Sequence, residues 1–300
     1  MRATQIALIA FPKYHRYAEL AQSSEAALLG AAFARRGARL DVVNGLDASV
    51  DWSRYDAVLP LGCWGYHKDA HGFREFIAAL TGRGVRLINP PDMLLWNLDK
   101  SYLLDLRAAG VEVATLLHFP AGSRPDLVKE LERVGWDRYV LKPAISANSE
   151  RTRVGQGAPG PDMLALADEI LARCGLLIQP FFDEIPQSGE WSLLFFGDQL
   201  SHSVVKVPKA GDFRSQPDHG GVVSGVVPSA AVIEQAADAV RAAARCVRSQ
   251  ATYARVDGFV RDGRLHLVEL ELIEPCLFLK SADAAAPSRF CDAVLAAISA

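Results

Sequence analysis

The acidic residues near the end of the chain have a spacing that suits a divalent cation. Glu269 and Glu271 are two residues apart on a predicted strand, so both carboxylates leave the same face of that strand. Two carboxylates about 7 Å apart along a strand repel each other unless a cation or a proton intervenes, and hard divalent cations prefer such oxygen ligands. Taken alone, the pattern also fits a charged strand face in contact with solvent. Other segments of the chain are needed to distinguish this from a cation site.

The turn before these glutamates determines whether Asp257 joins them. A two-residue loop at Asp262-Gly263 would pair Asp257 with Val268 and direct its carboxylate to the wrong face. A three-residue loop would pair Asp257 with Glu269 and gather three carboxylates and Arg255 on one surface. The metal site therefore requires a three-residue loop. In that register the opposite, core-facing side consists of Val256, Val260, Val268, Leu270 and Leu272.

Two lysines occur where a phosphate group could be bound. Lys100 lies near the start of a predicted helix, and Lys142 ends an apolar strand that is followed by the polar loop 146–152. A lysine in the second position can hold a phosphate as a point charge, while hydroxyl and backbone N–H groups of the loop complete the contacts. Each lysine alone is more often a surface residue whose stem packs on apolar neighbours.

Composition excludes several classes of protein. The 32 basic and 35 acidic residues give a net charge of −3, which argues against a nucleic-acid partner. The first apolar run, Ile6–Ala10, is too short for a signal peptide or a membrane span, so we expect a soluble, cytoplasmic protein without a membrane partner. The five cysteines are dispersed and never spaced as Cys-x-x-Cys, which predicts reduced core residues. His67 and His71 have no evident third ligand for zinc.

Strand and helix signals alternate in the first ninety residues, which predicts a parallel, doubly wound sheet. The turn after the first strand, at 11–15, lacks Gly-x-Gly-x-x-Gly, which counts against a dinucleotide site. The strands expected in this part are Ile6–Phe11, Arg39–Val43, Ala57–Leu61 and Val85–Ile88, and the helices are Glu19–Arg36 and Phe73–Leu80.

The rest of the chain reads as helices and short β segments. Residues 212–227, rich in Gly, Ser, Pro and Asp, predict an exposed functional loop. The helices expected here are Asn97–Ala109 and Ala230–Arg248, and the strands are Tyr139–Lys142, Leu176–Phe182, Trp191–Phe196, Leu200–Val207, Tyr253–Val260 and Leu265–Ile273.

Six short segments together resemble the ATP-grasp superfamily, in particular the branch related to glutathione synthetase. They are Asn97–Lys100, Val140–Pro143, Leu177–Phe182, Gly189–Ser192, Arg255–Asp257 and Glu269–Glu271, in the order and at the spacing of that superfamily. The resemblance implies an α/β fold of the α+β grasp type. An N-terminal doubly wound parallel-sheet domain at 1–92 precedes two α+β subdomains that hold ATP between them. The small part, with its phosphate loop, spans 93–185, and the large part, with the Mg-binding hairpin, spans 186–300.

The resemblance also implies roles for individual residues, with ATP and Mg²⁺ as cofactors. The implied ATP contacts are Lys100, Lys142, Ser149, Gln179, Phe181, Phe182 and Glu190, with Gln179 and the backbone of 181–182 at the adenine and Glu190 at the ribose. The implied Mg²⁺ ligands are Asp257, Glu269 and Glu271, and the implied catalytic residues are Arg255, Lys206 and Arg214. Two features depart from the family: Glu271 replaces the usual Asn, and the loop 146–152 has no glycine.

Pro90 and the segments Trp96–Tyr102, Gly211–Arg214 and Glu269–Pro275 resemble, within the superfamily, the cyclo-ligases that close O-ureido-D-serine into D-cycloserine. This implies activation of a small amino-acid carboxylate as an acyl phosphate, followed by attack of an internal nitrogen. An intermolecular carboxylate–amine ligase and a non-catalytic nucleotide-binding regulatory protein remain alternatives. A homo-oligomer is possible. Trp64 and Tyr66 either contact the amino acid or pack at a domain interface.

Overall fold

Three β-sheets organise residues 2–11, 18–215 and 219–300, which are the residues that the computed structural model describes. The first sheet contains β1 (Thr4–Ala10), β2 (Ala38–Asn44) and β3 (Ala57–Gly62), parallel and in the order β2-β1-β3. Its helices are α1 (Ala18–Ala34) and α2 (Ala70–Gly82).

Alternate residues of β1 face opposite sides of this sheet, and each side is covered by helices. Ile6 packs in a core that includes Phe33 of α1 and Phe290 near the C-terminus, whereas Ile9 packs in a core that includes Ile77 of α2. The sheet is therefore doubly wound, as predicted. The predicted strand Val85–Ile88 is wrong, because it amounts to a single parallel bridge between Leu87 and Val58.

The second sheet is antiparallel and lies in the middle of the chain. It contains β4 (Leu117–Phe119), β5 (Arg138–Pro143), β6 (Arg153–Gln156) and β7 (Leu176–Pro180), in the order β4-β7-β5-β6. The helices of this region are α3 (Pro91–Asn97), α4 (Tyr102–Ala108), α5 (Leu127–Val134) and α6 (Pro161–Leu171).

The third sheet is also antiparallel and carries the acidic hairpin at its edge. Its strands are β8 (Glu190–Phe196), β9 (Gln199–Val207), β10 (Val222–Gly225), β11 (Tyr253–Arg261) and β12 (Arg264–Glu271), in the order β10-β9-β8-β11-β12. The remaining helices are α7 (Glu184–Ser188), α8 (Ala230–Val247) and α9 (Ala286–Ser299). Phe290 of α9 packs with residues of the first sheet, so the last helix contacts the N-terminal sheet. The domain limits at 92 and 185 stay a prediction.

Two predicted elements near the site are wrong. The helix predicted at Asn97–Ala109 is interrupted, because the backbone N–H of Lys100 donates to the Ala144 carbonyl at 2.8 Å and that of Ser101 donates to the Asp99 side chain at 2.9 Å. An Asp side chain that bonds the backbone two residues ahead competes with helix formation. The predicted loop 212–227 contains β10, and its residues 216–218 lie outside the described part, as does the turn at 12–15.

The acidic hairpin reaches its predicted pairing by a different route. Its turn has two residues, Asp262 and Gly263, both with positive φ (52° and 74°), so the predicted three-residue loop is wrong. The pairing of Asp257 with Glu269 is nevertheless right, because a β-bulge next to Gly258 shifts the register by one residue.

The bulge has two consequences for neighbouring side chains. A Cβ atom on Gly258 would lie 2.3 Å from the carbonyl oxygen of His266, so this close approach requires glycine. Val268 is the extra residue of the bulge and packs with Phe259 and Phe182 beside the cleft, whereas Val256 and Leu270 belong to a different core cluster. The prediction that Val268 faces the opposite side is therefore wrong.

Candidate active site

A cleft of about 300 Å³ lies between the second and third sheets and is closed at one end by residues that follow β3. Every side chain to which the resemblance assigned a role lines it: Lys100, Lys142, Ser149, Gln179, Phe181, Phe182, Glu190, Lys206, Arg214, Arg255, Asp257, Glu269 and Glu271. Residues separated by up to 171 positions in sequence thus share one surface (271 − 100 = 171).

The two lysines of the phosphate side have different surroundings. Lys100 is 5% exposed, donates to the Ser146 carbonyl and lies 3.1 Å from the Glu269 carboxylate. Lys142 has no hydrogen bond or ion pair with any of the residues described, and burial together with the positive charge of Lys100 lowers its pKa. An ammonium group without a partner at a cleft is suited to bind an anion.

Arg255 and Lys206 both contact Asp257. The Arg255 guanidinium donates to both carboxylate oxygens of Asp257, at 2.8 and 3.0 Å, and also to Glu271. Lys206 lies 3.6 Å from Asp257 and 3.0 Å from Glu190. Burial alone disfavours ionisation of Asp257, but the two cations outweigh it and lower its pKa. Asp257 is therefore an anionic centre shared between two basic side chains.

Glu271 lies close to other carboxylates of the cleft. Its burial and the nearby carboxylates of Asp257 and Glu269 raise the pKa of Glu271 well above its usual value, although Arg255 opposes the shift. A divalent cation would relieve this repulsion. Within residues 2–11, 18–215 and 219–300, no group of three His, Cys, Asp or Glu side chains is arranged to hold an ion unaided. Mg²⁺ typically takes one or two carboxylates together with phosphate oxygens, so the donor set fits Mg²⁺ bound jointly with a nucleotide.

The opposite end of the cleft has the features of a base-binding site. The Gln179 side chain is 3% exposed, and its Nε2 has no hydrogen-bond partner in the described structure. The Phe182 ring lies 4.6 Å from the Phe259 ring, which gives this end an aromatic wall. The backbone N–H of Phe181 donates to the Arg138 carbonyl at 2.9 Å, so this N–H is already engaged within the fold.

The loop 146–152 adopts a glycine-like backbone without glycine. Asn148, Ser149 and Arg151 have φ of 51°, 56° and 56°, in the left-handed region that Asn tolerates better than most residues. Glu150 of this loop lies 2.8 Å from Nε2 of His67, which follows β3. The loop is thus anchored to the N-terminal domain, and the missing glycines do not prevent its left-handed turns.

Glu190 and Arg214 each form polar contacts with a residue of the segment 212–215. Glu190 accepts from the Ser215 hydroxyl, and Arg214 donates to both oxygens of Asp212, at 2.7 and 3.0 Å. The hydrogen bond from the Arg214 side chain is the main cause that lowers the pKa of Asp212.

Sequence reasoning missed Glu274, whose side chain also lines the cleft. No spacing rule identified it, because it lies beyond the end of β12 in a segment without regular structure. Trp64 and Tyr66, proposed for the amino-acid end, line the cleft near it, and the Trp64 indole donates to the Glu274 carbonyl at 2.8 Å.

Comparisons with known proteins agree on the fold. A sequence profile for the N-terminal domain of D-cycloserine synthetase DcsG matches residues 6–89. The cycloserine biosynthesis protein DcsG of Streptomyces lavendulae is 29% identical over 174 residues, which cover 57% of this chain and 58% of that protein. The alignment thus spans less than two thirds of that relative.

Solved structures extend the likeness to nearly the whole chain. The crystal structure of D-cycloserine synthetase DcsG superposes with a TM-score of 0.87 at 25% identity and covers 98% of this chain and 99% of that one. A D-alanine–D-alanine ligase from Bacillus anthracis complexed with ATP (TM-score 0.72, 16% identity, 99% and 97% covered) and the ATP-grasp ligase PsnB (0.64, 18%, 99% and 99%) share the fold. No helix in the described residues is long and apolar enough to cross a membrane.

Proposed function

We propose that this chain, which shares its fold with ATP-grasp ligases and is similar to D-cycloserine synthetase, is a carbon–nitrogen ligase that uses ATP and Mg²⁺ to activate a small amino-acid carboxylate. The observation that carries the proposal is the convergence, in one cleft, of four basic side chains and an acidic hairpin: Lys100, Lys142, Lys206, Arg255 and the carboxylates of Asp257, Glu269 and Glu271. A phosphoryl-transfer site needs this combination, because its transition state is stabilised mainly by positioning and charge.

We assign the phosphate side of the reaction to the two lysines and the acidic hairpin. Lys100 and Lys142 would bind phosphate oxygens, and Asp257, Glu269 and Glu271 would hold Mg²⁺. When bound, Mg²⁺ supplies charge neutralisation at the transferred phosphoryl group. Gln179 would bind the adenine, because its buried Nε2 otherwise lacks an acceptor.

The acyl side of the reaction is assigned to Arg255. Its guanidinium is held by the Asp257 carboxylate and by the carbonyl of Cys276 at 3.2 Å, so it is oriented before substrate binds. An arginine fixed in this way can bind the substrate carboxylate and the phosphorylated acid formed from it, without reorganisation during the reaction.

For the substrate, we propose O-ureido-D-serine, whose own nitrogen closes the ring of D-cycloserine. The similarity to D-cycloserine synthetase over nearly the whole chain supports this choice. Ring closure within one molecule gains from proximity, because the nucleophile does not have to be captured from solution. Hydrolysis of the carbamoyl group by one water molecule, which releases CO₂ and ammonia and leaves the ring N–H, would accompany it.

The test is to incubate the protein with Mg-ATP and O-ureido-D-serine and to follow phosphate release together with product mass. We expect stoichiometric ADP, phosphate and D-cycloserine. If an amide forms only after a second amine is added, the reaction is intermolecular ligation and the proposed ring closure is wrong. Absence of ADP with every amino acid tried would overturn the ligase and favour a regulatory nucleotide-binding protein.

A further inference from the structure

The segment that follows β12 forms the wall of the cleft nearest the N-terminal sheet. Glu274 lies in this segment and lines the cleft, and its backbone carbonyl accepts the hydrogen bond from Trp64. Glu25 of α1 accepts from the backbone N–H of Leu277 at 3.1 Å. Two contacts from the N-terminal domain thus hold the segment, so the position of the Glu274 side chain is supported on both sides.

The Glu274 carboxylate has no basic or hydroxyl partner among the residues described, although it is almost fully buried. Glu274 is only 8% exposed. The other acidic side chains described at the cleft each form an ion pair with a lysine or an arginine. An ionised carboxylate buried without a counter-ion is costly, and burial raises the pKa of Glu274 to about 7, although its own backbone N–H and the charges of Lys100 and Arg255 oppose the shift. The carboxylate thus lines the cleft without an ion pair of its own among the residues described.

The neighbouring charges indicate which group this acceptor suits. Arg255 lies near the same wall, with its guanidinium 5.5 Å from the centre of the Phe278 ring, and Phe278 also lines the cleft. An α-amino acid carries a carboxylate and an ammonium group on one carbon. A fixed guanidinium suits the carboxylate, and a separate carboxylate suits the ammonium. A phosphate group would be repelled by Glu274.

We propose that the Glu274 carboxylate accepts a hydrogen bond from the α-ammonium group of the amino acid whose carboxylate is activated. The proposal rests on the ligase function proposed above and deepens it by assigning the residue that selects amino acids over other carboxylic acids. A substrate without the ammonium group leaves the buried Glu274 carboxylate without a counter-ion. The expected loss is about tenfold to a hundredfold, as for a charge-assisted hydrogen bond.

The test compares matched pairs of ligands that differ only in the α-amino group. The pairs are O-ureido-D-serine with 3-(ureidooxy)propanoic acid, and D-alanine with propanoic acid. Binding to protein saturated with Mg-ADP is measured by calorimetry for the wild type, Glu274→Gln and Glu132→Gln. The last variant removes one exposed acidic side chain of α5, outside the cleft, and is the matched control. Phosphate release from Mg-ATP is measured separately.

We expect the wild type and Glu132→Gln to prefer the amino member of a pair by at least about tenfold, and Glu274→Gln to reduce that preference below about threefold. Affinity for Mg-ADP should change less than about twofold in either variant. Retention of the preference by Glu274→Gln, equal weakening of both members of a pair, or a wild type that binds neither member would overturn the proposal.

The two readouts separate this proposal from the proposed function. If the wild type selects amino acids through Glu274 but releases no phosphate, the ligase function fails and the assignment of Glu274 stands. If phosphate is released and Glu274→Gln still discriminates between the members of a pair, only the assignment of Glu274 fails.

Discussion

Charged side chains in the cleft fall into paired and unpaired groups, and the buried unpaired ones are the groups that most need a ligand of opposite charge. Asp257 is neutralised by Arg255 and Lys206, so its negative charge is already compensated. Lys142 and Glu274 have no such partners in the described structure, and burial lowers the pKa of the first and raises that of the second. A buried charge without a partner costs stability, so each is best explained by a ligand of opposite charge.

Replacement of Lys142 by methionine tests whether this unpaired lysine binds phosphate. The Lys142→Met variant loses a phosphate contact, and we expect kcat/KM for ATP to fall about 30-fold to 100-fold. The free energy of unfolding should not decrease, because an apolar side chain replaces a desolvated ammonium group. Lys129→Met, at an exposed position of α5, is the control and should leave both quantities nearly unchanged. Normal ATP kinetics in Lys142→Met would exclude the phosphate role.

The pH dependence of stability tests whether the Glu274 carboxyl is perturbed by burial. The pKa of Glu274 is raised from 4.5 to about 7 in the folded chain, mainly by burial. Between these values the unfolded chain loses the proton and the folded chain keeps it, so this group makes the free energy of unfolding fall as the pH rises.

We therefore expect Glu274→Gln to be more stable than the wild type at about pH 8, by about 1 to 3 kcal/mol, and to differ little at about pH 4. Urea unfolding at the two pH values measures the difference. A stability difference that does not change with pH would show that the Glu274 carboxyl is not perturbed.

At the level of secondary structure, the bulge in β11–β12 determines whether the acidic residues face one another. A two-residue turn alone would pair Asp257 with Val268, whereas the bulge restores its pairing with Glu269. The outer edge of β12 is also fixed by side chains, because the Asn97 amide donates to the Leu270 carbonyl at 2.7 Å.

Gly258→Ala should disrupt this arrangement. Its new Cβ would lie 2.3 Å from the His266 carbonyl oxygen, so the hairpin must move. We expect a loss of about 2 to 4 kcal/mol in the free energy of unfolding and weaker Mg²⁺-dependent ATP binding. Gly30→Ala in α1, where no atom lies within 4 Å of the added Cβ, should be neutral or stabilising. Equal behaviour of the two variants would show that the bulge has no role.

The same hairpin shows how far sequence alone could go. Strand alternation placed Glu269 and Glu271 on one face, and the resemblance supplied Asp257 as their partner. Alternation cannot reveal a bulge, since a bulge depends on a close backbone approach that only the folded chain shows. The interruption of the helix at Lys100 was missed for a similar reason, because its Ala144 contact comes from a distant segment. Glu274 lies in no helix or strand, so no periodic pattern could identify it as a site residue.

At the level of the whole molecule, Asn89 joins the N-terminal domain to the third sheet. Its amide nitrogen donates to the carbonyls of Tyr253 and Leu272, both at 2.9 Å, and its oxygen accepts from the backbone of Thr252 at 2.6 Å. Asn89 is fully buried, so these backbone groups have no access to water as a substitute. One side chain thus fixes the wall that carries Trp64 relative to the acidic hairpin.

Asn89→Ala should therefore weaken the whole structure. Four backbone groups lose a partner, since the Tyr253 N–H also donates to the Asn89 oxygen at 3.3 Å. We expect the free energy of unfolding to fall by about 2 to 4 kcal/mol. Asn44→Ala is the control, since Asn44 is exposed and its side chain accepts only from Leu46 among the residues described. Urea denaturation measures both variants. Similar losses in the two would contradict the assigned role of Asn89.

Transfer of oxygen from substrate to phosphate tests the central claim most directly. O-ureido-D-serine labelled with ¹⁸O in its carboxylate is incubated with the protein and Mg-ATP, and the released phosphate is analysed by mass. Activation of the carboxylate by ATP predicts one ¹⁸O atom in each phosphate, because the nitrogen nucleophile displaces the phosphate together with a carboxylate oxygen. Product formation with unlabelled phosphate, or with AMP and pyrophosphate, would contradict the account.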